Sequence, residues 1–337
     1  MLRHRNPKRL CALFTALTMA VGVAPTAALA DLDAGEVKTE NIENGAVTFA
    51  KLAPDAVLMT TIVVSPVGPT LKDNCLELLA ALDSITVIRT TEHYVIYLEP
   101  GVYDCAHERV VMKDHVHLRG AGPLQTHIWG YANGLHGVVT LASNSELRDL
   151  TVVSREPPDG KFLDTAAIGT NETRRTQSWR LTNVSLRALG AKSRNIGVFL
   201  GSHISCGGEM TNVKAETGTV GLEVIAVWFS CQGGKIRASN LTTQASKGLG
   251  VRLSGPVEVT ILNSMIHGSL GLFVDPSPRA VHISEGSLTI FNSQLDGSLS
   301  TAGTGFARCI NSYDENYFPL GRDCDDPGIF TPVLGTK

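Results

Sequence analysis

The sequence predicts an all-β solenoid, a chain wound into stacked coils of short strands. Three observations predict it. From Tyr94 onward, short β-rich runs such as YVIYL, HVHLRG, LTVV, GVFL, GVRLSG and LTIF alternate with Gly, Asn and Ser, without helical periodicity. An Asn recurs in LTNVSL, MTNVKA, ASNLTT, ILNSMI and IFNSQL, at Asn183, Asn212, Asn240, Asn263 and Asn292, with gaps of 29, 28, 23 and 29 residues. Between these copies lies a second run led by glycine: Gly197-Val198-Phe199-Leu200, Gly221-Leu222-Glu223-Val224, Gly250-Val251-Arg252-Leu253 and Gly271-Leu272-Phe273-Val274. Two or three strands per repeat, in constant order, mark a β-solenoid, whose repeats bury a shared core only by stacking.

The start of the 337-residue chain stands apart from this pattern. Arg3, Arg5, Lys8 and Arg9 precede an apolar run from Leu10 to Val23, and PTAALAD follows with small residues at Ala28 and Ala30. Residues 1–30 are thus expected to be a secretory signal peptide cleaved after Ala30, taking Cys11 with it. The run is interrupted by Gly22 and stops near Pro25, too short for a membrane anchor, and no later stretch is long and apolar enough to span a bilayer. A secreted or periplasmic location is expected. Removing the four basic residues from 29 leaves 25 Lys+Arg against 32 Asp+Glu, a formal charge of −7. That balance argues against a nucleic-acid partner, while leaving room for a local basic groove.

Residues 31–59 contain a repeat of ten, VKTENIENGA followed by VTFAKLAPDA. It resembles the GAVT-AKLA repeats in stalks of phage tail fibres and some exported bacterial proteins, a resemblance that implies a homotrimer. The other reading is an ordered linker wrapped on its own domain. Next, Leu71, Cys75, Leu78, Leu79 and Leu82 fall on one helical face, with Asp73 and Asn74 in the first turn, where acceptors are favoured. A short amphipathic helix is expected here, capping the open end of the solenoid.

Residues 60–298 are expected to form the solenoid and 299–337 a capping tail. Two positions before each repeated Asn stand Leu181, Met210, Ala238, Ile261 and Ile290, apolar in every copy and expected to face the core. Three positions before it stand Arg180, Glu209, Arg237, Thr260 and Thr289, polar in every copy and expected to face out. The Asn is expected to continue the inward parity at a corner, tolerating a left-handed backbone and bonding to the Asn of neighbouring coils. Its role is then structural, not catalytic.

The segments IYLEPGVYD and VHLRGAG, with the Asn column, resemble the right-handed parallel β-helix of the pectin-lyase-like superfamily over about Ser65 to Ser298. The resemblance implies about eight coils with a short N-terminal capping helix and a disulfide-closed C-terminal tail. It does not choose an activity, because this architecture serves lyases, hydrolases, esterases, phage tailspikes and non-enzymatic surface proteins. CINSYDENYFPLGRDC and AKLAPDAV also resemble a group of uncharacterised exported bacterial β-helix proteins.

Six cysteines remain after cleavage, an even number that in an exported chain suggests disulfides. Spacing alone allows fifteen pairings. In the β-helix, coils stack about 4.8 Å apart, within disulfide reach. The expected bridges are Cys206–Cys231 between coils, Cys309–Cys324 over the far end, and Cys75–Cys105 between helix and first coil.

Chemistry is less visible. A uronate lyase needs clustered carboxylates for calcium and a basic proton acceptor. Here Asp159, Asp164, Glu172, Glu209, Glu216 and Glu223 are scattered. A hydrolase needs carboxylates flanking one bond, but the lone Asp-Asp, Asp325-Asp326, lies in the tail, and His267 sits in IHGS rather than the Gly-His-Gly of the resembling family. Paired Asp residues in successive coils, as an esterase of this fold requires, are not found.

The best basic cluster is NETRRTQSWR, with Arg174, Arg175 and Arg180. Arg180, Glu209 and Arg237 occupy the same place in three successive coils. They form either an ion ladder, worth little at a surface, or part of a groove holding a carboxylated glycan through Arg174, Arg175, Arg180 and Arg237. His115, His117 and His127 read as a partly exposed strand face, with a transition-metal trio as the alternative. Trp129, Tyr131, Trp228 and Phe229 are candidates to stack on sugars, and Trp179 is expected in the core. No metal or cofactor is expected. The functional expectation is an exported binding or structural module associated with polysaccharide. The alternative is a lyase or glycoside hydrolase acting on a uronate-containing glycan through an unfamiliar site.

Overall fold

The computed structural model describes residues 58–66, 68, 70–86, 92–132, 134–158, 164–170, 176–190, 193–202, 205–218, 223–268 and 279–324. The signal segment, the decapeptide repeats as far as residue 57, Arg174 and Arg175 lie outside the described residues. The chain forms a right-handed parallel β-helix. Its strands pair in parallel with those of the next turn, which is how a coil satisfies its backbone without a hairpin partner.

Three sheets run along the helix. Sheet A contains β1 (Leu58–Val64), β2 (Glu92–Leu98), β5 (Val116–Arg119), the first halves of β8 (Glu146–Ser154), β10 (Thr176–Ala188) and β12 (Cys206–Thr217), then β14 (Lys235–Ser239), the second halves of β16 (Leu249–Leu262) and β18 (Arg279–Phe291), and β21 (Phe306–Ile310). Sheet B follows it in each turn: β3 (Gly101–Asp104), β6 (Thr126–Gly130), the second halves of β8, β10 and β12, then β15 (Thr242–Ala245), β17 (Met265–His267), β19 (Gln294–Asp296) and β22 (Tyr313–Asp314). Sheet C closes the turn: β4 (Val110–Val111), β7 (Val139–Leu141), β9 (Asp164–Thr170), β11 (Arg194–Ser202), β13 (Glu223–Cys231), the first halves of β16 and β18, and β20 (Ser298–Thr301).

The repeated Asn marks the corner between sheets A and B. Asn183, Asn212, Asn240, Asn263 and Asn292 have φ between 46° and 54°, the left-handed region expected of them. Asp149 (φ 55°) and Asn311 (φ 50°) extend the column at both ends. The inward parity predicted for the Asn is corrected: Asn212, Asn240, Asn263 and Asn292 do not point into the core. A left-handed residue breaks the two-residue alternation, so Leu181 and Val184 are buried on either side of the Asn183 corner. The amides still bond along the column. Asn183 donates to Asp149 at 2.8 Å, Asn240 to Asn212 at 2.8 Å and Asn292 to Asn263 at 3.4 Å.

Immediately inside the last corners runs a column of buried serines. Each of Ser264, Ser293 and Ser312 donates its hydroxyl to the carbonyl two residues earlier. Each accepts a backbone N–H from the preceding turn, namely from Leu241, Ser264 and Ser293. These hydroxyls satisfy backbone groups that the corner removes from the strand ladder.

The core is a continuous apolar column. Leu181, Met210, Ala238, Ile261 and Ile290 are all buried as expected, and so is Trp179. At the open start, α1 (Leu71–Ser84) buries Cys75, Leu78, Ala81 and Leu82 and leaves Leu71 exposed. Thr70 and Asp73 form a reciprocal capping box at its N-terminus. Buried Asn74 accepts from Gly68 N–H and donates to the Val102 carbonyl, fixing the helix to β3.

Three disulfides join the expected partners: Cys75–Cys105, Cys206–Cys231 and Cys309–Cys324, with Cα separations of 5.1, 5.8 and 4.9 Å. The first ties helix to coil and the third closes the far end. Cys206 begins a sheet A strand and Cys231 ends the sheet C strand of the same turn, so the second clamps the A–C corner. Disulfides of this kind persist outside the reducing cytosol. Among the described residues no helix is long and apolar enough to cross a membrane.

Candidate functional site

The outer face of sheet A carries one register row through successive turns: His117, Glu146, Arg180, Glu209, Arg237 and Thr260. Strand alternation places these side chains outside while Leu118, Leu147, Leu181, Met210 and Ala238 fill the core. An open groove of about 930 Å³ crosses this face, with His93 and His117 at one end and Arg180, Glu209, Lys235 and Arg237 along it. Its floor is kept low by Gly207 and Gly208. A Cβ on Gly208 would stand 2.4 Å from the ring of buried Trp179.

Of the four arginines expected to bind ligand, the structure brings Arg180 and Arg237 into this groove, and Arg174 and Arg175 lie outside the described residues. The ion ladder is in register but is not formed. Arg180 turns back to Glu146 at 3.6 Å, and among the described residues Glu209 and Arg237 carry no ion pair. Glu146 also accepts from Thr182 at 2.8 Å, which anchors the carboxylate and, through it, Arg180. Lys235 meets Glu258 at 3.0 Å, but with side chains 84% and 62% exposed this pair is worth little and opens readily. Among the described residues Arg237 is therefore the groove cation with no ion pair, while Arg180 and Lys235 would exchange a partly exposed carboxylate partner for an anionic ligand.

The histidine trio is regrouped. His127 lies on sheet B, where its Nε2 is 3.3 Å from the Leu124 carbonyl oxygen. Its place beside His115 and His117 is taken by His93, which sequence reasoning passes over because it stands alone in TEHYV and pairs only through the register of β2 with β5. His93 Nδ1 lies 3.0 Å from His117 Nε2, and the two rings stack. Burial, then His93, push the His117 imidazole below its usual pKa, and Arg180 and His115 add to this against the opposing pull of Glu146. Among the described residues no three His, Cys, Asp or Glu side chains, these histidines included, are placed so as to hold a metal ion.

The aromatic candidates separate by sheet. Phe229 is fully buried in the core, so its expected outward role is corrected. Trp228 does face outward on sheet C, but it is only 9% exposed and packs in a second apolar cluster with Ala166, Ile196, Phe199 and Ile225. Its indole N–H donates to Ser254, and the Arg252 guanidinium covers its ring at 4.5 Å. That face is sealed by packing and offers no stacking surface. Beside it Arg194 grips Asp164 through two hydrogen bonds and holds its carboxyl below the usual carboxylate range. On sheet B, Arg155 lies between Trp129 and Tyr131, 5.0 and 4.8 Å from their centroids, and bonds Asp104 at 2.6 Å. Both rings are thus occupied on one face by a cation of the protein itself.

No family model matches the chain, and no curated protein matches it. Among solved structures, pectate lyase Pel9A is similar at 15% identity, covering 82% of this chain and 74% of that one, with a TM-score of 0.51. A pectin methylesterase from carrot is similar at 12% identity, covering 79% and 87%, with a TM-score of 0.50. Both are likenesses of fold alone, and the fold they share with this chain is a right-handed parallel β-helix.

Proposed function

We propose that this chain is an exported binding module that holds a carboxylate-bearing polysaccharide along the outer face of sheet A. The observation that carries this is the open groove with Arg180, Lys235 and Arg237 spaced along it. Arg180 and Arg237 are two turns apart, roughly 10 Å at the rung spacing. That separation lets each meet a different carboxylate of an extended polyanion, and a guanidinium binds a carboxylate through two parallel hydrogen bonds. The names of the two similar folds, which concern pectate and pectin, place uronate polymers first among ligands to try.

Binding without cleavage fits the carboxylates of the groove. Glycoside hydrolysis needs two carboxyl groups about 5–9.5 Å apart across one bond. The backbone positions of Glu209 and Glu258, the two carboxylate residues lining the groove, are two turns and two residues apart, about 12 Å on strand and rung spacing.

The test is to incubate the mature chain, with and without calcium, against uronate-containing and neutral polysaccharides. Retention on uronate polymers with no new reducing ends and no unsaturated-uronate absorbance is the expected result. Cleavage would establish the lyase or hydrolase alternative, and retention on neutral polymers alone would remove the charge-based account.

A further inference from the structure

At the end of the groove nearest α1, three imidazoles meet. His93 comes from β2, His115 from the turn before β5, and His117 from β5 itself. His93 and His117 stack at 5.3 Å with 18° between planes, and His115 meets His93 edge-on at 5.0 Å. The contact between His93 Nδ1 and His117 Nε2, at 3.0 Å, accommodates one proton between two nitrogens. It therefore exists only while at least one ring is neutral. Nδ1 of His117, and Nδ1 of the neighbouring His115, are buried without a hydrogen-bond partner.

We propose that His93 and His117 form an acid-opened carboxylate subsite at the end of the sheet A groove, closed on itself at neutral pH and added to the binding surface when both rings are protonated. This rests on the glycan-binding reading above and names its regulation. With both rings charged, the shared hydrogen bond breaks and two like charges face each other, so the rings part. Each then presents an N–H donor to the groove, in line with Arg180. A ligand carboxylate between them neutralises the repulsion that otherwise opposes double protonation, so proton uptake and ligand binding reinforce each other.

The surroundings set the sign. On β1, the residue in register with His93 is Met59, which does not titrate. On β2, Glu92 precedes His93; on β5 and its turn stand His115 and Arg119; on β8, Glu146 and Arg148; on β10, Arg180. Arg119 and Arg148 are both held by Asp149, and Arg148 also approaches Glu146. Arg180, His115 and the partner imidazole resist protonation of His117, and Glu146 favours it. Burial leads the shift and its direction is downward, so the subsite fills below the ordinary imidazole range. Uronate carboxylates, titrating near pH 3–4, are still charged there.

The experiment is retention of the intact mature chain on immobilised pectate between pH 7.5 and 5.0 at constant ionic strength, beside His93→Gln and His117→Gln, which keep hydrogen-bonding capacity without titrating. Wild-type affinity is expected to rise about tenfold on acidification, some 1.4 kcal/mol, and each variant to rise less than about twofold. Circular dichroism at both pH values establishes that the variants are folded. If wild type and variants bind with the same pH profile, the acid-opened subsite is overturned while the groove stands. If wild type is not retained at any pH, the groove reading fails and this inference fails with it.

Discussion

Asn240 donates its side-chain amide to Oδ1 of Asn212 in the preceding turn at 2.8 Å, and both residues are left-handed. One side chain thus does two jobs, bonding turn to turn and turning the chain from sheet A to sheet B. Asn240→Ala removes the bond, about 1 kcal/mol, and adds the strain of a Cβ in the left-handed region, about 1–2 kcal/mol. Asn240→Gly removes the bond but keeps the backbone freedom. Urea denaturation is expected to rank wild type above Asn240→Gly and Asn240→Ala last. Equal midpoints for the two variants would show that the backbone requirement is absent.

The parts of this molecule legible in the sequence are those that repeat. The Asn column, the buried position two residues before it and the polar, outward one three before it recur in every copy, so stacking and facing can be read together. Asp149 escapes that reading because an Asp in LRDL breaks the residue identity while keeping the left-handed backbone. The parity of the Asn itself is misread from the sequence because period-two alternation holds within a strand and ends at the corner. The disulfides are legible because the coil brings each pair near, although the position of Cys231 across a corner from Cys206 is not. The groove is half legible. Arg180 and Arg237 share a repeat position, but His93 belongs to a turn that precedes the repeats. The covering of Trp228 depends on cross-turn packing with Phe199 and Ile225, which no linear spacing encodes.

Gly208 lies over the Trp179 ring, with its missing Cβ 2.4 Å from ring carbons, whereas a Cβ on Gly207 would meet only the Lys235 backbone, at 3.2 Å. Gly208→Ala is expected to destabilise by about 1–3 kcal/mol through overpacking, and Gly207→Ala by clearly less. Thermal unfolding of the two variants measures this, and the reverse order would show that Trp179 does not set the groove floor.

The Asp164–Arg194 pair predicts a specific acid sensitivity. The folded carboxyl is held below its unfolded value, first by its hydrogen bond to Arg194. Its contribution is therefore complete above the unfolded carboxylate pKa and disappears as pH falls through the folded one. With both side chains partly exposed, the effect is modest, about 1 kcal/mol. Denaturation midpoints of Asp164→Asn are expected to fall below wild type at pH 6 and to converge with it near pH 2. A constant gap across that range would contradict the linkage.

The central claim is that Arg180 and Arg237 hold carboxylates of a polyanionic glycan in the sheet A groove, and the most direct measurement is calorimetric titration of a uronate oligosaccharide into wild type and into Arg180→Ala/Arg237→Ala at low salt. Removing a hydrogen bond between charged groups costs about 1.5 kcal/mol or more, so the double variant is expected to bind on the order of 100-fold more weakly. Wild-type binding should also weaken as salt rises. Binding by the double variant with unchanged affinity would contradict the account.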